Sequence, residues 1–273
     1  VKQIASALEN KETIFVHGDY DVDGITATAI WTRCLRRLGG VVEPHLPHRQ
    51  NDGYGFHRAG VERARELGAS LIITCDCGIS AVEVVEYAHE LGIRVVVTDH
   101  HEPGARVPKA EAVVNPLLPG SQYPFPHLAG VGVTFKVARA LVAELGHQPE
   151  AFDRAYLDFA ALGTVCDIVP LLDENRVLAR HGMARIAESK KLGLRALMEV
   201  AGLARRAEEM TARDVGFVIG PRLNAAGRMD DATDALRLLL TEDVKEASEV
   251  ATRLDRHNRE RMREQQRIFE EAC

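Results

Sequence analysis

The chain has 273 residues, of which 46% are hydrophobic and 27% charged, and a formal net charge of −6. That composition is ordinary for a globular protein, and the acidic balance argues against one that coats nucleic acid through bulk electrostatics. No apolar run approaches the roughly 18 residues of a membrane span, and Cys34, Cys75, Cys77, Cys166 and Cys273 lack the CxxC spacing of a disulfide framework or zinc knuckle, so a cytoplasmic location is the default expectation.

The first half alternates β-branched apolar runs with helical patterns. Residues 13–17 read as a strand, followed by a helix over 25–38. Residues 41–46, 70–75 and 93–98 read as further strands and 112–114 as one more short one, with helices at 58–67 and 80–91 between them. Strands so nearly all apolar, separated by amphipathic helices, predict an α/β fold with a parallel sheet covered by helices on both faces. In such sheets the site lies beyond the carboxyl ends of the strands, where strand order reverses.

After residue 130 the pattern turns helical, at 134–145, 151–162, 177–189, 194–200, 212–218 and 232–239. Residues 242–272 contain no Gly or Pro and alternate their charges, which reads as one long, exposed helix connecting to something outside this chain. The implied division is an α/β unit over 1–172, a helical part over 173–241 and a connector helix over 242–273. Charge follows this division. Residues 1–173 carry 22 acidic and 15 basic side chains, whereas 174–273 carry 18 and 19. Nine of those basic residues fall between Arg176 and Arg213. They read either as a solvated helical surface or as a basic wall beside an acidic site.

Three strand ends carry side chains of the metal-ligating kind. The first gives His17-Gly-Asp19-Tyr-Asp21-Val-Asp23-Gly24, the third Asp76, and the fourth Asp99-His100-His101; a helical segment adds Asp167. Each alone has a plain structural role, such as a helix N-cap for Asp23, a turn for Asp19 or a satisfied core histidine for His17. Together, so many carboxylates packed at one sheet edge are strongly unfavourable unless cations neutralise them. Mixed imidazole and carboxylate donors suit manganese or magnesium. A zinc or thiol site built on Cys75-Asp76-Cys77 is disfavoured, because adjacent strand residues alternate faces and the two thiols need not converge with Asp76. Gly130-Val-Gly132 could offer N–H groups to a phosphate, though a tight turn is the plainer reading. No Walker-type GxxxxGK[ST] is present.

These motifs resemble those of the DHH phosphoesterase superfamily, and within it the RecJ-like single-strand-specific exonucleases. His17, Asp21 and Asp23 match its first motif, Asp76 the second, Asp99-His100-His101 the third and Asp167 the fourth. The segments Gly163-Thr-Val-Cys-Asp-Ile-Val-Pro-Leu171 and Gly220-Pro-Arg-Leu-Asn-Ala-Ala-Gly-Arg228 narrow the resemblance to the RecJ-like group. It implies a metal-dependent 5′-to-3′ exonuclease that releases mononucleotides from single-stranded DNA in repair and recombination. It also implies two divalent cations, Mn2+ or Mg2+. One would be held by His17, Asp21 and Asp76, the other by Asp23, Asp76, His100 and Asp167, with Asp76 bridging. His101 would contact the scissile phosphate, Asp99 would orient a ligand histidine, and Asp19 would stand behind the ligands. Arg49, Arg222, Asn224 and Arg228 would line the nucleic-acid path. Single-strand-binding protein and a RecQ-type helicase are the implied partners. Such enzymes carry a further strand-gripping domain that this chain does not match. Rival readings on the same scaffold are a nanoRNase, an inorganic pyrophosphatase or a metal-free scaffold protein.

Overall fold

A computed structural model describes residues 1–48, 55–229 and 232–272. Its elements run α1 (Lys2–Glu9), β1 (Thr13–His17), α2 (Val22–Arg37), β2 (Val41–His45), α3 (Arg58–Glu66), β3 (Ala69–Cys75), α4 (Val82–Glu90), β4 (Arg94–Thr98) and β5 (Ala112–Val114). The helical remainder is α5 (Gly130–Glu144), α6 (Pro149–Cys166), α7 (Asp173–Ala187), α8 (Leu192–Val200), α9 (Ala212–Asp214), α10 (Gly220–Met229), α11 (Thr233–Leu240) and α12 (Val244–Ala272).

The expected parallel sheet forms in the order β2-β1-β3-β4-β5, with every pairing parallel. Its faces follow from strand parity. Ile14, Val16, Leu71, Ile73 and Cys75 enter the large core that α2, α5 and α6 complete, while Phe15, Ile72, Val95 and Val97 face the smaller core under α3 and α4. The large core is continuous from Ile4 to Leu254, so the helices after residue 173 share it. Strand order reverses between β1 and β3, which places a crevice at their carboxyl ends.

Some helices depart from their expected bounds. α5 begins at Gly130 rather than 134, and α6 runs from a favourable N1 proline through Gly163 to Cys166. Gly163 is needed there: a Cβ would lie 2.4 Å from Thr26 Oγ1 and 3.0 Å from Asp23 Oδ1. The expected helix over 212–218 breaks into the short α9 and a π-helical turn, Val215–Ile219, before α10. Pro221 has no N–H to return to the preceding turn, which accounts for the widened backbone. The last helix is exposed along only part of its length. Ala247, Val250, Ala251 and Leu254 are buried, and α12 packs on α8, α10 and α11 before its residues from Arg259 onward enter solvent. Among the described residues, no helix is long and apolar enough to cross a membrane.

Candidate metal centre

The crevice is built by turns that glycine permits. After β1 the chain folds back over the first turn of α2: a Cβ on Gly24 would stand 2.5 Å from Asp19 N, and one on Gly18 only 1.9 Å from Thr28 Oγ1. This fold buries Asp19 and Asp23 completely. Asp21, not Asp23, caps α2, its Oδ1 accepting from Gly24 N at 3.0 Å. Asp23 is instead held by the start of α5, where Gly130 N and Val131 N donate to its two oxygens at 2.6 and 2.7 Å. The amides of Gly130 and Val131 are thus committed to a carboxylate of the chain itself, and a helix N-terminus stabilises that negative charge. Asp76 follows β3 at φ 63°, a left-handed conformation that costs a non-glycine residue energy. Gly130 packs against it so tightly that a Cβ there would lie 2.4 Å from Asp76 Oδ1.

Among the described residues three sets of side chains converge, each with ligand atoms within 4.8 Å of one another: Asp23, His100 and Asp167; Asp76, His100 and His101; and Asp19, Asp21 and Asp76. His100 Nε2 lies 3.1 Å from Asp76 Oδ1 and 3.8 Å from both Asp23 Oδ2 and Asp167 Oδ2. Yet among the described residues His100 Nε2, Asp76 Oδ1, Asp167 Oδ2 and both Asp19 oxygens find no hydrogen-bond partner. Buried polar atoms aimed at one another without partners are costly, and a divalent cation is the species that satisfies them all. Burial, reinforced by Asp21, raises Asp19 and Asp23 to about 7. Burial likewise raises Asp167 to about 7, with Asp23 adding to it. Asp76 is pushed well above the carboxylate range by burial and then by Asp23 and Asp21. Oxygen donors with one or two imidazoles fit manganese or magnesium.

His101 belongs to the second of these sets but differs from His100 in that its ring is held by Asp99. Its Nδ1 lies 2.7 Å from Asp99 Oδ1, which also accepts from the backbone N–H groups of His100 and His101, while Asp99 Oδ2 accepts from Ile79 N at 2.9 Å. Burial alone would raise Asp99, but the hydrogen bonds from His101 outweigh it and hold the carboxyl below its usual range. The same bond raises His101, which is 41% exposed. Asp99 therefore orients His101 rather than the candidate ligand His100, a correction to the expected partner.

Further expectations are corrected by geometry. His17 joins none of the three sets. It shares the parity of Phe15, so its ring turns to the α3 face, lies tilted beside His45 and edge-on to Phe56, and meets Gly55 O through Nε2 at 3.2 Å. Burial there lowers it to about 3, a neutral imidazole. Asp19, expected behind the ligands, instead points into the cluster. Arg222 is spent on structure: its Nε and terminal nitrogen reach Asp255 Oδ1 at 3.0 and 2.9 Å, and a third donor reaches Val218 O. This ties α10 to α12 and leaves little for a nucleic acid. Asn224 Oδ1 accepts from Val22 N at 3.1 Å, bracing the first turn of α2 behind Asp21 and Asp23. Arg49 lies outside the described residues; Arg228 sits in α10, and its side chain is likewise outside them. Cys75 and Cys77 fall into opposite cores, where burial raises Cys75 to about 12 and pushes Cys77 up as well, so neither is a reactive thiol.

One supporting residue escaped the sequence reading. Asn115, just past β5, donates from Nδ2 to His101 O at 2.8 Å. The signal was available, since it is the first polar residue beyond a strand's carboxyl end.

Residues 13–164 match the DHH family, N-terminal domain. The single-stranded-DNA-specific exonuclease RecJ of Bacillus subtilis (strain 168) is 43% identical over 270 residues, covering 99% of this chain and 33% of that protein. Its namesake from Escherichia coli (strain K12) is 43% identical over 282 residues, 100% of this chain and 48% of that protein. The chain thus spans less than half the length of these relatives. A crystal structure of exonuclease RecJ bound to manganese aligns with a TM-score of 0.90 at 39% identity, covering 99% of this chain and 67% of that one.

Proposed function

The chain belongs to the DHH family, and from that premise we propose that it is the catalytic part of a metal-dependent exonuclease that removes mononucleotides from single-stranded DNA, 5′ to 3′, in repair and recombination. Residues 1–172 would form the catalytic unit, 173–241 a helical buttress and 242–273 a connector. The observation that carries this reading is the convergence of Asp23, Asp76, His100 and Asp167 on a point where His100 Nε2 lies within 3.8 Å of three carboxylate oxygens. The names of the similar proteins supply the substrate class.

Asp23, Asp76, His100 and Asp167 would hold one divalent cation, Mn2+ or Mg2+. Asp19, Asp21 and Asp76 would hold a second, with Asp76 shared. When bound, such a pair lowers the pKa of a water, aligns it with phosphorus and neutralises the phosphate. The chain's own part is positioning. The α5 amides hold Asp23 in a single orientation, the Asp21 cap fixes the turn that presents Asp19, and Gly130 admits Asp76 to the gap. His101 has Nδ1 held by Asp99, so Nε2 is the nitrogen that would face a phosphate oxygen, as a hydrogen-bond donor or a carrier of the leaving group's proton.

The test is cleavage of single strands labelled at either end, with manganese, with magnesium and with chelator. The proposal expects early release of the 5′ label as mononucleotide, and only with a cation. Early release of the 3′ label, or hydrolysis of pyrophosphate without hydrolysis of DNA, would overturn it.

A further inference from the structure

At the end of α2 and α6 remote from the metal centre lies a second concavity, of about 700 Å³. It is lined by Arg33, Arg37, Arg154, Arg185, Lys190 and Lys191, an unusual concentration in a chain of net charge −6. From Arg154 to Asp167 the α6 axis rises about 20 Å, so this cavity is no part of the metal cluster. Part of the basic wall expected beside that cluster therefore lies here instead. α7 runs back along α6, with Gly182 set against Leu157 and Ala161, and so carries Arg185 and the Lys190-Lys191 pair to the far end.

Half of these cations are already satisfied. Lys191 Nζ donates to both oxygens of the buried Asp158, at 2.7 and 2.6 Å, and to Ala155 O. Ser189 Oγ donates to the same carboxylate at 2.9 Å, making a rigid floor. Arg185 pairs with Glu188 at 2.9 Å, and Arg33 caps the carbonyls of Leu239 and Leu240. Arg37, Arg154 and Lys190 are different: all are exposed, and none has a hydrogen bond or ion pair among the described residues. Arg37 has a local explanation in the C-terminal dipole of α2. Arg154, near the positive end of α6, has none. Three uncompensated cations around a concave wall focus a positive field, and two of them carry the planar fork that grips phosphate oxygens in pairs.

We propose that this cavity is a second anion site, for a ligand bearing several phosphates. The shared chemistry could come from a nucleoside triphosphate or from the backbone of a nucleic-acid strand. The inference does not depend on the proposed nuclease activity, and its test keeps the metal centre out of play. With chelator present, binding of a deoxynucleoside triphosphate and of a 12-nucleotide single strand is measured for the chain, for Asp76→Ala, and for the triple variant Arg37→Gln, Arg154→Gln, Lys190→Gln. The changed side chains are exposed, so a matching melting temperature verifies folding, and the double variant Arg37→Lys, Arg154→Lys tests charge alone. The site predicts that at least one ligand binds the parent and Asp76→Ala alike and binds the glutamine variant at least tenfold more weakly. If the strand is the ligand, the slope of log K against log salt falls by about two; if the nucleotide is, only that arm changes. Equal binding of both ligands by parent and glutamine variant, or binding of neither by the parent, would overturn the proposal.

Discussion

The two ends of the α2–α6 pair treat buried charge in opposite ways. At the far end Asp158 is almost wholly buried, yet it accepts from Lys191, from Ser189 and from the backbone of Phe159. At the near end Asp19, Asp23 and Asp76 are buried as deeply, and no basic side chain within the described residues pairs with them; only His100 and His101 approach. Burying a carboxylate is costly unless it is paired and hydrogen-bonded. The chain supplies the partner at one end and leaves the other for a cation. That difference, more than the number of acidic residues, distinguishes a structural ion pair from a binding site.

The comparison breaks most visibly at Asp76, the residue shared by two of the convergent sets. Asp76→Asn is expected to remove metal-dependent hydrolysis by more than the roughly 10–100-fold typical of a residue that merely supports a ligand, measured as kcat with saturating manganese. His101→Ala should lower kcat by about 10²–10⁴ while metal affinity holds. A parallel loss of affinity would make His101 a ligand instead. At the far end, Asp158→Ala leaves Lys191 buried without its partner and should cost about 3–5 kcal/mol in a denaturant titration, with metal binding unchanged.

A gentler contrast comes from pH. Asp19, Asp23 and Asp167 are raised to about 7 in the folded chain, so the folded state holds more protons than the unfolded one between about pH 4 and 7. Stability of the chelated protein should therefore fall as pH rises through that window, by an amount on the order of a few kcal/mol, and manganese should cancel the fall. A chelated protein that gains stability over the same range would contradict the reading. The smallest expected effect is at His17: His17→Gln should leave manganese affinity within about twofold, whereas Asp19→Asn should weaken it by about tenfold or more. The reverse order would restore the histidine to the ligand set.

Much of this was legible in the sequence because it depends on short-range pattern. Apolar β-branched runs ending in Asp19–Asp23, Asp76 and Asp99–His101 announce parallel strands and the edge where a ligand sits. What escaped depends on direction or on distant partners. The place of His17 is hard to read because one residue of strand parity decides which face its ring takes, and the turn after β1 hides that parity. The same holds for the direction of Asp19. Arg222 looked available because Asp255, which consumes it, lies 33 residues away on another helix. The basic cavity is assembled from α2, α6, the end of α7 and the segment after it, and its convergence is a property of the packed helices alone.

Counting bound ions offers the most direct trial of the central claim. Titrating the metal-free chain with Mn2+ and following free ion by electron paramagnetic resonance should give two ions per chain, reduced to one or none by Asp76→Asn. A chain that takes up no manganese, or one whose two ions are indifferent to Asp76→Asn, would contradict the account.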